Sequence, residues 1–412
     1  MFPSSVMDLV PKGHLAHFIR NVVSEQLDLR EILNRYSEER GYPPYHPVMM
    51  TALLLYANAV GIYSSRRIAR ACEERVDFMA LTGMQKPDFR TISLFRLRHL
   101  EAIKGLFEQV LRLCQKAGMV KLGHVAMDGT KIQANASKHE SMSYRKMKEA
   151  ESRLKAEIDR WFEEAERLDR EEDQLYGPDK RGDELPDWVA DKQQRLEKIR
   201  QAKAALEAEA RAELERGPDP NKIGHKPKST GTPRDKVQRN FTDPESRIMK
   251  DSHGFIQAYN AQAAVDWASQ VIVGQLLTNT SSDAHQMIPM LQQIRTNLRQ
   301  QVREISADSA YCSELNLKAL NRRRIRAYVA TDRQDKDRHV SSWVQQMRRR
   351  LRQGGWHSRY RLRKQTVEPV FGQIKQARGF RQFLLRGLNK VSAEWSLLCT
   401  VHNLLKLAAV VH

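Results

Sequence analysis

Apolar positions along this 412-residue chain fall into three regimes. The first, to about residue 117, has helical spacing. Leu27, Leu29, Ile32, Leu33 and Tyr36 form one inner face within residues 8–37, and residues 48–60 read as a strongly apolar helix closed by Gly61. Between them lies a breaker cluster, residues 41–47, with prolines at 43, 44 and 47. Ser64 and Ser65 can cap a further helix, with Ile68, Ala69 and Cys72 inward and Arg66, Arg67 and Arg70 outward. After Gly83 and Pro87-Asp88, one long helix is predicted over residues 91–117. Its stripe is Ile92, Phe95, Leu100, Ile103, Leu106, Val110 and Leu113, and it also carries Arg90, Arg96, Arg98 and His99. Helix, turn and arginine-bearing helix fit a helix-turn-helix DNA module, and equally an ordinary bundle with a solvated arginine face.

The second regime begins where the run Val125-Ala126-Met127 ends in Asp128-Gly129-Thr130, the pattern of a strand rising from a core. Beyond Ser137, Met147, Leu154, Ile158, Trp161, Ala165, Leu168 and Leu175 step by threes, fours and sevens among dense Glu, Lys and Arg. A turn at 176–182 precedes a looser seam through Val189, Leu196, Ile199, Leu206 and Ala210. This reads as an antiparallel helical hairpin inserted between two core strands, or as a pairing surface for a second copy of the chain. Residues 217–239, rich in Pro, Gly, Lys and Arg, read as a basic linker.

In the third regime strand patterns return at 255–265 and 270–277, around a turn at 266–269. A helix over 283–300, a short strand ending at Asp308, a helix over 313–324 and a strand over 325–330 follow. Residues 332–364 are basic and partly irregular. Two helices close the chain, the first carrying Glu368 and the second spanning 390–409. Three meandering strands, then strand, helix and strand, is the order of a ribonuclease H-like fold. The expected class is therefore α/β: a ribonuclease H-like catalytic core with a mixed sheet flanked by helices, an all-α N-terminal domain and an inserted hairpin. The expected parts are 1–117 (helical, DNA-binding), 118–137 with 240–379 (core), 138–216 (hairpin), 217–239 (linker) and 380–412 (C-terminal helix).

Charge narrows the partner. A net charge of +19 and a pI near 9.8 point to a polyanion, and nucleic acid is the favoured one. Cys72, Cys114, Cys312 and Cys399 are scattered without paired spacing, which suits a reducing compartment. With no signal-peptide pattern and no apolar run of spanning length, no membrane role is expected and the location reads as cytoplasmic.

Asp128, Asp308 and Glu368 each follow a predicted core element. Gathered at one end of a sheet, they would hold two divalent cations for an in-line phosphoryl transfer, and an oxygen-only donor set suits Mg²⁺ or Mn²⁺. Each also has a plainer reading: Asp128-Gly129 as a hairpin turn, Asp308 as a helix cap, and Glu368 beside Pro369 as a residue of a helix's first turn. Lys375 lies seven residues after Glu368, hence about 10 Å along one helix face. His253 and His285 lack metal-site spacing and read as structural. Trp343 and Trp356 read as core packing, or as bases' stacking partners.

Several stretches taken together resemble the DDE transposases of bacterial insertion sequences. They are Tyr45-His46-Pro47, Phe89-Arg90-Thr91-Ile92-Ser93, Met127-Asp128-Gly129-Thr130, Asn240-Phe241-Thr242-Asp243-Pro244, Ser246-Arg247-Ile248-Met249, Tyr259-Asn260-Ala261-Gln262, Ala307-Asp308-Ser309-Ala310-Tyr311, and the run from Val367-Glu368-Pro369 to Gln373-Ile374-Lys375. The resemblance implies that Asp128, Asp308 and Glu368 are the catalytic, metal-ligating residues for two Mg²⁺, with Mn²⁺ as a substitute. It implies double-stranded DNA as partner, both the element's terminal inverted repeats and target DNA, and a homodimer in the DNA complex. A related signature of Tyr, Arg, Glu and Lys at set spacings fits Glu368 and Lys375. Its Arg position holds Lys364 and its Tyr position Arg361. Lys375, Lys364, Arg361, Arg66, Arg67, Arg70 and Arg96 are the expected DNA contacts. A DNA-binding relative that no longer cuts and a nuclease of the same fold are the alternatives.

Overall fold

The computed structural model describes residues 5–36, 45–176, 187–217, 230–251, 254–331 and 341–411. Pro43 and Pro44 of the breaker cluster, residues 177–182 of the turn expected at 176–182, linker residues 218–229, residues 332–340 and His253 lie outside the described residues. So do the side chains of Leu168, Leu175 and Trp356.

In chain order, helices α1 (Leu15–Asn21), α2 (Arg30–Leu33), α3 (Pro47–Ala59), α4 (Ser65–Glu74), α5 (Val76–Thr82), α6 (Phe89–Arg98) and α7 (Leu100–Lys116) precede strand β1 (Val125–Gln133). Next come β2 (Ser141–Ser143), α8 (Tyr144–Tyr176), α9 (Asp187–Arg216) and β3 (Gln238–Asn240). They are followed by β4 (Arg247–Asp251), β5 (Gly254–Asp266), β6 (Ile272–Thr278), α10 (Met287–Leu298), β7 (Glu304–Ala307), α11 (Glu314–Arg322) and β8 (Arg326–Val329). Helices α12 (Ser342–Gly354), α13 (Leu362–Gly372) and α14 (Leu388–Val411) complete the chain. The chain divides into two compact units: residues 1–135, 249–254 and 258–412, and residues 136–248 with 255–257.

The larger unit is built on a mixed sheet in the order β6-β5-β1-β7-β8, with β4 also paired to β5. β1 runs antiparallel to β5 along its whole length, from Val125 opposite Asp266 to Gln133 opposite Ala258. On its other edge β1 is parallel to β7, and β7 is parallel to β8. Asp128-Gly129 therefore lies in mid-strand and makes no hairpin turn. The wholly buried Val125, Ala126 and Met127 and the buried Ile132 carry the strand through that point.

The N-terminal helices do not form a core of their own, against the expectation for residues 1–117. One hydrophobic cluster contains Ala16, Leu53, Phe107, Val265, Ile305 and Leu404 alike, and α7 packs on α14. The long helix expected over 91–117 is broken at His99, which leaves helical geometry at φ −111°, ψ 26°. Its buried ring stacks on Tyr36 with centroids 5.6 Å apart and meets the Tyr36 hydroxyl at 3.2 Å. That tertiary contact overrides helical continuity. α6 begins before residue 91 because the Asp88 carboxylate accepts from the Thr91 N–H at 2.7 Å, a side-chain cap. Leu33, expected inside, is exposed. Within the basic stretch expected to be partly irregular, Ser342–Gly354 form α12, which buries Met347, and short turns at Gly355–His357 and Arg359–Arg361 lead into α13; Trp343 packs against the core.

In the smaller unit the expected hairpin forms. The pairs Tyr144–Glu207 (2.8 Å), Glu151–Lys203 (2.6 Å) and Glu157–Lys192 (2.8 Å) run in opposite senses along α8 and α9, so the helices are antiparallel. Met147, Leu154, Ile158, Leu196, Ile199 and Leu206 fill their seam. β2 and β3 pair at the base, so the end of the expected linker is strand. The motif residue Asn240 is buried, and its Oδ1 accepts from the N–H groups of Thr242 and Asp243, each at 2.9 Å.

α14 closes one flank of the sheet with a polar device. Buried Asn403 accepts from the Ile272 N–H and donates to the Ile272 carbonyl, both at 2.8 Å, as a neighbouring strand would. Replacing it by leucine orphans two buried backbone groups. Asn403→Leu should therefore lower stability by about 3 kcal/mol, read as a drop in the urea midpoint; an unchanged midpoint would show that β6 does not need the pairing.

Candidate active site

Alternation along β1 sends successive side chains to opposite faces. Asp128 and Thr130 meet α13 and its continuation. Gly129 and Lys131 meet the side chains of Gln262 and Asn260, the residues opposite them on β5. Asp128 is mostly buried at 16% side-chain exposure, and its Oδ2 accepts from Arg363 Nη1 at 2.5 Å. Asp308 directly follows β7 and caps the short turn Ser309–Tyr311, accepting from the Ala310 N–H at 3.0 Å. The capping reading of Asp308 thus holds as geometry, beside whatever chemistry it does.

Glu368 sits in the body of α13, not in a first turn, with Pro369 also inside the helix. It is 54% exposed, and Arg363 Nη2 stands 4.0 Å from its Oε1. Past Gly372 the helix widens into a π-turn, Gln373–Ala377, so the regular seven-residue spacing to Lys375 does not hold. The change brings Lys375 Nζ to β1, 3.1 Å from Thr130 Oγ1 and 3.2 Å from the Lys131 carbonyl. Turns of this kind recur at functional sites.

Arg363 is the residue that sequence reading missed. Lys364 and Arg361, at the expected positions, are exposed on α13 and just before it. Arg363, one residue earlier than Lys364, reaches Asp128. The tyrosine and the Asp128-bound arginine of this run, Tyr360 and Arg363, each stand one position N-terminal to the places named by the resemblance. A helix turns about 100° per residue, and long side chains from adjacent positions can reach one point; spacing alone does not choose between them. The basic run 359–364 held the signal but not the phase.

The other expected DNA contacts divide. Arg66, Arg67 and Arg70 are exposed on α4; Arg66 lies over the Phe89 ring at 5.1 Å, and Arg70 pairs with Glu74 at 2.7 Å. Arg96 is a correction: it is buried, donating to Ser65 Oγ at 3.2 Å and to the Tyr63 carbonyl at 3.4 Å. It anchors α6 and is closed off from phosphates.

Burial dominates the electrostatics. It pushes the Asp128 carboxyl up to about 6; Arg363 opposes, while Asp308 and Asp283 add to the rise. Asp308 is raised too, by burial and then by Asp283, with Arg363 and the Ala310 N–H opposing. Burial alone would lower the Arg363 guanidinium, yet the charges of Asp128 and Asp308 leave it raised. Arg363 therefore stands among the three acids. Among the described residues no group of three His, Cys, Asp or Glu side chains is spaced to share one ion. The chemistry of the donors nevertheless fits a hard divalent cation: oxygen atoms only, from three carboxylates, two of which, Asp128 and Asp308, repel each other in a way that a cation would relieve.

Two known families match separate segments of the chain. Residues 4–98 match the family described as Transposase domain (DUF772), and residues 225–404 the family described as Transposase DDE domain. Together they span about two thirds of the chain. Asp308, Glu368 and Lys375 lie within the second match; Asp128 lies in neither, nor do α8 and α9. No curated protein matches the chain, and no solved structure does. A mixed α/β chain with these two matches is an enzyme of the transposase class, which acts on DNA. It belongs to the DDE transposases of the insertion-sequence type. Among the described residues no helix is long and apolar enough to cross a membrane.

The raised Asp128 carboxyl has a signed consequence in metal-free buffer. A carboxyl lifted from 3.8 to about 6 contributes stability that is present below pH 3.8 and is lost as pH rises through 6. Wild type should lose stability relative to Asp128→Asn between about pH 4 and about pH 7, by on the order of 3 kcal/mol. Urea titrations of both proteins at the two pH values check it; a constant difference would mean that the carboxyl is not raised.

Proposed function

We propose that this transposase cuts DNA at the ends of its mobile element and joins the freed 3′-hydroxyl ends to target DNA by phosphoryl transfer. The observation that carries this reading is the placement of Asp128 on β1 and of Asp308 just past the end of the adjacent parallel strand β7, with Glu368 on the helix packed against β1 and Arg363 between the acids. The strand order, three antiparallel strands followed by two parallel ones, supports a ribonuclease H-like core. Asp128, Asp308 and Glu368 are the residues that would hold two Mg²⁺ or Mn²⁺. Bound there, such ions would activate the attacking oxygen and stabilise charge on the leaving one.

The chain's own side chains supply the positioning. Lys375, bonded to Thr130 and to the Lys131 carbonyl, is fixed beside Asp128 and presents a cation to a neighbouring phosphate. Arg363 keeps the mutually repelling carboxylates together in the absence of DNA, and its fork suits a phosphate as well as a carboxylate. Lys364 and Arg361, exposed around the start of α13, extend the basic surface along the duplex. Arg66, Arg67 and Arg70 of α4 suit backbone contacts to the terminal inverted repeats, with binding that weakens as salt rises. Two ends must be brought together for joining, which favours a homodimer in the DNA complex.

The decisive measurement is cleavage of a duplex carrying the element's end by Asp128→Asn, Asp308→Asn and Glu368→Gln beside wild type, in Mg²⁺ and Mn²⁺. Groups that act as a unit give non-additive losses, so each single change should lower the rate by about 10³-fold or more, and the triple change little further. DNA binding should persist, because each change removes negative charge near the phosphates. Near wild-type cutting by any one variant removes that residue from the set. Binding without cutting by wild type would favour the non-cleaving relative instead.

A further inference from the structure

The face of β1 turned away from α13 carries a polar assembly that the proposed chemistry leaves unused. At its centre is Asp283, in the segment between β6 and α10 and 12% exposed. One oxygen, Oδ1, accepts from Asn260 Nδ2 at 2.5 Å, Gln262 Nε2 at 2.7 Å and Lys131 Nζ at 3.3 Å. Asn260 and Gln262 are wholly buried, so their amides must find partners within the protein. Gln262 Nε2 also reaches Asn260 Oδ1 at 2.9 Å, and Asn260 Nδ2 reaches the Thr280 carbonyl at 3.1 Å. Gln262 Oε1 accepts the hydroxyl of the fully buried Tyr311.

Tyr311 ends the turn that Asp308 begins, and its N–H bonds the Asp308 carbonyl at 3.3 Å. A second tie runs in parallel: Asn316 Nδ2 donates to the Tyr311 carbonyl at 2.9 Å and to the Ala284 carbonyl at 2.7 Å. The segment around Asp283 is thus joined to the Asp308 turn twice. The assembly fits only because position 129 lacks a side chain. A Cβ there would overlap Gln262 Nε2 and stand 3.0 Å from Asn260 Oδ1 and 3.1 Å from Asp283 Oδ1.

We infer that Asp283, acting through Gln262 and Tyr311, is a positioning residue that sets where Asp308 stands relative to Asp128. The role of this brace in cutting rests on the phosphoryl-transfer reading above; its existence does not. Gln262 lies on the strand paired with β1, so the brace refers the Asp308 turn to the strand that bears Asp128. Asp283 works here as an acceptor at Oδ1, not as a further ligand beside Asp128, Asp308 and Glu368. Its charge is felt at Asp308, where it ranks next to burial in raising the carboxyl.

The test uses the full-length chain and two kinds of readout. Hydrogen exchange of the backbone amides of residues 309–312 should quicken in both Tyr311→Phe and Asp283→Ala, and no further in the double variant, because both break one chain of bonds. Unchanged exchange in Tyr311→Phe, which is nearly isosteric, overturns the brace even if Asp283→Ala fails to fold. With an end-containing duplex and Mn²⁺, kcat should fall by about 100-fold in either variant, the scale of a displacement near 1 Å, while the Kd for DNA stays unchanged. Asp283→Asn keeps an acceptor at Oδ1 and should retain most of the wild-type kcat. If Asp283→Asn is as inactive as Asp283→Ala, the residue acts through its charge and the inference is wrong. Parallel loss of DNA affinity and melting temperature would reduce it to a general folding role. Failure of wild type to cut would instead refute the phosphoryl-transfer reading, with the exchange measurement still deciding the brace.

Discussion

Everything near the site depends on β1 being paired on both edges, antiparallel to β5 and parallel to β7. Double pairing fixes its register, and register on a pleated strand decides which side chain faces which way. A slip of one residue would turn Asp128 toward Gln262 and Lys131 toward α13. The buried run Val125-Ala126-Met127 anchors that register from one end and Ile132 from the other. Between them lie the polar residues, an arrangement with little packing energy of its own, held by the pairing around it.

That dependence explains what was legible in the sequence. Strands β1, β5, β6, β7 and β8 and the hairpin α8–α9 follow from apolar periodicity, because burial is what periodicity records. Asp128 and Asp308 could be picked out because each closes an apolar run. Arg363 could not, since four cations crowd residues 359–364 and only tertiary packing sets which one turns to Asp128. Arg96 misled for a related reason: its carbonyl and hydroxyl partners, Tyr63 and Ser65, lie just before and at the start of α4, 33 and 31 residues away. The break at His99 depends equally on Tyr36, which no local pattern ties to it.

The boundary drawn at residue 117 failed on physical grounds rather than on spacing. Residues 1–117 contain enough apolar side chains to suggest a core, but sequence does not say with whom they are shared. Cys114 Sγ reaches the Asn403 carbonyl and Lys104 the Asn389 side chain, so α7 is finished by the last helix of the chain. The two segments that match separate families are folded around common contacts. Basic α4 and the acids therefore belong to one compact unit.

The inserted hairpin has a bearing on how the chain finds this arrangement at all. β1 ends at Gln133 and its partner β5 begins at Gly254, so the central antiparallel pairing must close a very long loop. Closure entropy grows only slowly with length, but long-range pairings are slow to form. Helices α8 and α9 fold back on each other and β2 joins β3 at the base, bringing residue 141 beside residue 240. Once that local structure exists, the loop left to close is no longer the whole insertion but residues 134–140 and 241–253 on the two sides of the β2–β3 clasp. Seen as a chain problem, the insertion acts as a splint: lengthening or shortening the hairpin beyond the clasp leaves the ends that the sheet must join where they were.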